Sequence, residues 1–148
     1  MLSVAHKTSG AIALVMIALF WGSTVLSEIS FDAATVTAVK SAIPYGFIVL
    51  IPALMAAGGS GLRLAGGRRS GAIGTKLKRM PFIAANGLFV LMPAAFFLAS
   101  KARAGNFDTA FYAVQVLELL AGAGNLALLS LNMRDGLRMT ARRRSLRA

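Results

Sequence analysis

The residues best suited to chemistry in this 148-residue chain sit inside its most apolar stretches. Gln115, Glu118, Gly122 and Asn125 recur at intervals of three, four and three, which places them along one face of a helix. Trp21, Thr24 and Glu28 share a face in the same way, while Lys40, Tyr45 and Asn86 stand singly among apolar neighbours. An ionisable side chain within a membrane span is costly unless paired or hydrated, so Glu118 and Lys40 are candidate functional groups. If the second and fourth helices are neighbours, the long stem of Lys40 can carry its ammonium to the Glu118 carboxylate.

Other chemistry is thin. Cysteine is absent and histidine occurs once, as His6. Thiolate metal sites, iron–sulfur clusters and thiol nucleophiles are thereby excluded, and no metal site is expected. A single histidine cannot ligate haem b from both sides, although a dimer could, or His6 paired with Met55, Met80 or Met133. His6 stands at the opposite end of its helix from the acidic residues, which leaves no Ser-His-Asp arrangement. Glu28 and Glu118 differ by ~14 Å in depth at ~1.5 Å per helical residue, too far for paired acid–base work. No constellation in the sequence supports an enzyme, and a non-enzymatic role is the leading expectation.

These residues must be positioned by membrane helices. The chain is 57% apolar and 14% charged, against roughly 45–50% and roughly 25% in soluble domains. Four stretches are long and apolar enough to cross a bilayer, at about residues 8–26, 34–57, 81–100 and 109–131. None has the period-two alternation of a barrel strand, so the fold class is all-α: a polytopic membrane protein of four helices in an up-down-up-down bundle. Residues 58–80, rich in glycine and cations, read as a mobile loop, and residues 132–148 as a basic tail. The loop has no phosphate-binding GxxxxGK[ST] pattern.

Of the sixteen Lys and Arg, all but Lys40, Lys101 and Arg103 lie before the first span, in the 58–80 loop or in the tail. By the positive-inside rule both termini and that loop are cytoplasmic, in a bacterial inner membrane. The first span lacks a small-x-small cleavage site, so it is expected to stay in place. Counted from the outer span ends, Gln115 and Lys40 lie ~9 Å deep, Glu118 ~14 Å and Tyr45 ~16 Å. Trp21, Thr24, Glu28, Lys40, Tyr45, Gln115 and Glu118 thus either bond the helices to one another, as polar groups in membrane bundles commonly do, or line a polar cavity in the periplasmic half, for a quinone, lipid or other small amphiphile. Asn86 and Asn125 lie at matching depth and are expected to bond, with Gly122 letting another backbone approach.

The leading functional reading is a small accessory or binding protein. A second is a haem- or quinone-binding anchor of a redox complex, and a third is a small proton-coupled transporter acting as a dimer. The partners expected are the bilayer, anionic headgroups against the basic loop and tail, and a second copy or a larger membrane complex. The tail lacks aromatic interleaving, and nucleic acid is not expected. One internal echo, GxxVLxPA at 46–53 and 87–94, reads as coincidence rather than an inverted repeat.

At the amino end, Ser3-Val-Ala-His6-Lys7-Thr-Ser9-Gly10 resembles the S-x-x-H-R-x-[ST]-G segment that opens the first membrane helix of the succinate dehydrogenase cytochrome b subunit. The resemblance implies that Ser3 and Lys7 border a quinone site beside His6. It covers eight residues, and the chain departs from that family in having Lys7 for arginine, no second-helix histidine and four helices rather than three. As a whole the chain also resembles small, uncharacterised four-helix membrane proteins of bacteria.

Overall fold

The computed structural model describes residues 1–30, 32–67 and 71–145. Helix α1 (Leu2–Ile29) is followed by α2 (Ala33–Ala65), and a third span is built from α3 (Gly71–Asn86), a π-helical turn (Gly87–Leu91) and α4 (Met92–Arg103); α5 (Thr109–Ser145) completes the bundle. All four spans are long and apolar enough to cross a membrane. Ile48, Phe89 and Leu120 are each at least 70% exposed, which makes sense for a surface that faces hydrocarbon rather than water. The chain is therefore a multi-pass membrane protein.

Local chemistry sets the ends. Asp32, in an extended conformation, caps α2 by accepting from the backbone N–H of Ala34 and Thr35, satisfying two of its unpaired donors. Asp108 does the same for α5 through the Phe111 N–H at 2.9 Å. Gly66 ends α2 in the left-handed conformation, φ 52°, where a side chain would be strained.

The helices outrun their sequence-based limits. Only residues 66–70 separate α2 from α3, so most of the expected mobile loop is helical. One of its glycines serves packing: a Cβ on Gly61 would stand 3.1 Å from the His6 ring. The expected tail likewise continues α5 to Ser145. Arg79 of α3 ties it down by pairing with Asp135 at 2.9 Å, and cations near a helix carboxyl end oppose its dipole favourably. Arg68, Arg69 and Arg147, counted among the cations of this end, lie outside the described residues, as do the side chains of Arg142, Arg143 and Arg144.

The π turn precedes Pro93, which has no N–H and whose ring would collide with the carbonyl four residues back. The Met92 N–H reaches Gly87, five residues back, so the ladder is widened where proline would break it. The matching stretch 46–53 stays α-helical around Pro52, and the GxxVLxPA echo is not a structural repeat.

Around the bundle the order is α1, α2, third span, α5, with each packing on the next and α5 on α1. Among the described residues the diagonal pairs, α1 with the third span and α2 with α5, make no close backbone approach. Ala13, Ile17, Leu50 and Ala53 form one apolar core, joined by Phe20, Phe47 and Leu126. Val36, Leu98, Ala102 and Phe111 form another near the end opposite the termini, hereafter the loop end. Along the third span α2 packs closely on α4 but barely meets α3, so the bundle is tight at the loop end and parted on that side toward the termini.

Candidate functional site

Lys40 enters the bundle from α2 and is only 1% exposed. Its Nζ forms an ion pair with Glu118 Oε2 on α5 and donates to Thr24 Oγ1 on α1 at 3.3 Å. The helices that carry the pair are diagonal rather than adjacent, and the four-carbon stem of Lys40 crosses the interior to close the gap. The contact expected from depth is present, by a route through the bundle centre rather than between neighbours. Burial of two charges is costly, and direct pairing with an extra hydroxyl is what makes it tolerable.

Glu28 lies one turn beyond Thr24 on α1, and Gln115 one turn before Glu118 on the antiparallel α5. Both therefore stand in the layer next to the ion pair on its loop-end side. Tyr45 does not join them. Five residues after Lys40, at 100° per residue, it is turned about 140° away on α2; it is 67% exposed. It lies on an outer groove between α2 and α4 lined also by Pro44, Phe96 and Arg103. Arg103 is anchored there by Nε on Ser41 Oγ at 3.2 Å and Nη2 on the Ser41 carbonyl at 3.3 Å.

On the termini side of Glu118 lies a cavity of about 320 Å³ that touches all four spans. Its walls are mainly apolar, with Thr24, Glu118 and Asn125 as polar exceptions. Ile51, Met55, Ala84 and Leu88 line it and are exposed, so it opens sideways where α2 and α3 part. This differs from the expected cavity: of the residues proposed to line it, Trp21, Thr24 and Glu118 do so, whereas Glu28, Lys40, Tyr45 and Gln115 do not. The reason is physical. Lys40 is drawn into its ion pair and Gln115 is buried in the layer beyond it, whereas the large sideways opening forms where apolar helices diverge.

Trp21 packs across Gly122, where a Cβ would stand 3.0 Å from the indole Cδ1. Its Nε1 donates to the Leu119 carbonyl at 3.0 Å. The close approach expected at Gly122 is thus made by an aromatic side chain, not by a backbone. Below it, Asn86 Nδ2 donates to both Asn125 Oδ1 and the Ala121 carbonyl at 2.9 Å, and Asn125 Nδ2 donates to the Ile83 carbonyl at 3.3 Å. These amides clamp the third span to α5 beside the π turn.

A second polar group closes the termini end. The His6 ring contacts the Ala57 carbonyl at 3.0 Å and Ser60 Oγ at 3.1 Å through Nδ1, and Lys76 Nζ at 3.5 Å through Nε2. Both ring nitrogens are engaged, and a haem iron would have to displace one of these partners. Ser3 and Lys7 are exposed on the outside of α1. Asn132 joins Arg79 and the Met80 sulfur at the same end. Neither Ser60 nor Asn132 stands out in the span limits read from sequence, although Asn132 follows Asn125 by seven residues and continues the polar stripe of α5. No group of His, Asp and Glu that could hold a metal ion occurs among the described residues. Comparison of the chain with protein-family models, with curated proteins and with solved structures found no match.

Proposed function

We propose that this protein binds one neutral, long-chain amphiphile drawn from the bilayer, its chain in the apolar cavity and its hydroxyl- or carbonyl-bearing head against Thr24 and Glu118. The observation that carries this reading is the sideways opening of a 320 Å³ cavity between α2 and α3, with Glu118 in its inner wall. Engineered dry cavities of about 150 Å³ already hold benzene, so the space here suits a larger apolar body. Lys40 and Glu118 neutralise one another, so a charged head would enter without a partner and pay for its dehydration. A quinone, a long-chain alcohol or a monoacylglycerol meets these demands.

The proposal places the chain in a bacterial cytoplasmic membrane with both termini inside. Exposed Lys7, Arg63, Lys78, Arg134 and Arg138 at the termini end support this orientation. Each would gain roughly 1 kcal/mol near an anionic leaflet. Native mass spectrometry of protein released from mild detergent tests the binding reading. A single retained amphiphile mass is expected, and it should vanish in Ala84→Phe, which plugs the exposed mouth. Wild type that carries no such mass, or a mass unchanged in Ala84→Phe, contradicts the reading.

A further inference from the structure

Between the Lys40–Glu118 pair and the loop end, three polar atoms are buried with no hydrogen-bond partner among the described residues: Glu28 Oε1 and both amide atoms of Gln115. Gln115 is only 3% exposed. Orphaned polar groups of this kind cost as much as lost hydrogen bonds, and several of them in one layer require an account. The layer offers a carboxylate, an amide carbonyl and an amide N–H₂, with the Lys40 ammonium just beyond. An anion would be repelled by the carboxylate, and a metal ion by the N–H donors and the ammonium. An apolar guest would leave all three atoms unpaired. Water, which both donates and accepts, complements the whole set.

We propose that ordered water molecules occupy this layer and connect Glu118 and Lys40 to the loop-end surface, so that the ion pair exchanges protons with that side of the membrane. The groups facing the layer are Thr24, Ser27 and Glu28 from α1, Lys40 from α2, and Gln115 and Glu118 from α5; the third span offers apolar Leu98 and Ala102 at this end. Ser27 is already occupied in donating to the Thr24 carbonyl at 2.9 Å, which leaves Gln115 and Glu28 to hold the water. Toward the termini Glu118 faces the mainly apolar cavity, and Trp21, packed on Gly122 with its N–H on the Leu119 carbonyl, adds no free donor to a polar route on that side. Glu118 thus stands between an apolar cavity and a hydrated port. A proton taken up from the port leaves neutral Glu118 facing the cavity and an unpaired Lys40, and its return to water restores the pair. This goes beyond amphiphile binding and does not depend on it.

Magnetic resonance on protein carrying ¹⁵N in Gln and Lys side chains, in lipid nanodiscs without added amphiphile, tests the port. Direct cross-peaks between water and the Gln115 Nε2 protons are expected. Gln115→Leu is expected to slow hydrogen exchange at Lys40 Nζ by about tenfold, the loss of one hydrogen-bonded link. The cross-peak is read on the wild type, so the test survives if that variant does not accumulate. A Gln115 amide without water contact, or Lys40 exchange unchanged by Gln115→Leu together with a raised thermal midpoint, overturns the proposal. In that case Gln115 is a dry, costly amide that leucine improves upon.

Discussion

Removing one member of the Lys40–Glu118 pair leaves the other buried and uncompensated, and the two removals are not equivalent. The Lys40 side chain is 0% exposed and that of Glu118 is 12% exposed. Loss of one partner from a buried pair costs about 3–5 kcal/mol. Glu118→Gln, which removes the counter-charge of the fully enclosed ammonium and leaves it only neutral acceptors such as Thr24 Oγ1 at 3.3 Å, should fall at the upper end of that range. Lys40→Met, which strands a carboxylate with some access to its surroundings, should fall at the lower end. The double variant Lys40→Met with Glu118→Gln removes both charges, and its cost should be well below the sum of the singles, by about 2 kcal/mol or more. Reversible unfolding in mixed micelles, followed by circular dichroism across the four proteins, measures all three values. Additive costs in the double variant would refute the reasoning, since they would mean that the two groups do not sense each other.

Other outcomes follow from single contacts. Gly46→Ala should destabilise by about 1–3 kcal/mol in the same unfolding assay, because the new Cβ would stand 2.3 Å from the Phe20 ring; Gly46→Ala with Phe20→Leu should recover part of the loss. The Asp108 carboxyl is held below its ordinary value by the hydrogen bond from Lys101, with the Phe111 N–H adding to it. Its folded value is depressed, so its stabilising contribution is present above the ordinary carboxylate value and fades as pH falls through the lowered one; a carboxyl carbon titration should show the low midpoint, and Lys101→Ala should raise it. Alkaline phosphatase fused after Gly105 should be active in a bacterial host and inactive after Gly66, and the reverse pattern would invert the proposed orientation.

The existence of four spans was legible because apolar runs of about 20 residues have few alternatives in lipid. Their ends were less so. Gly58 and Gly61 resemble linker residues in isolation, yet in the bundle Gly58 faces Met80 and Gly61 lets the His6 ring lie close against α2. A depth ruler brought Asn86 to Asn125 and Lys40 toward Glu118, because rise per residue is a local property of a helix. Which way a side chain turns is less visible when it stands alone: Tyr45 has the right depth and the wrong azimuth. The cavity left no trace in residue type, since it arises from the separation of α2 from α3. Likewise the π turn precedes Pro93, yet Pro52 in the matching stretch sits in unbroken α-helix, so proline alone did not reveal it.

The most direct test of a sideways-opening amphiphile site uses Trp21, the single tryptophan of the chain, which lines the cavity. Its fluorescence should be quenched saturably by a brominated long-chain alcohol added to protein in nanodiscs, and the saturable part should disappear in Ala84→Phe. Quenching that rises linearly with the alcohol, and equally in both proteins, would mean that the probe stays in the surrounding lipid and that the cavity does not take it up.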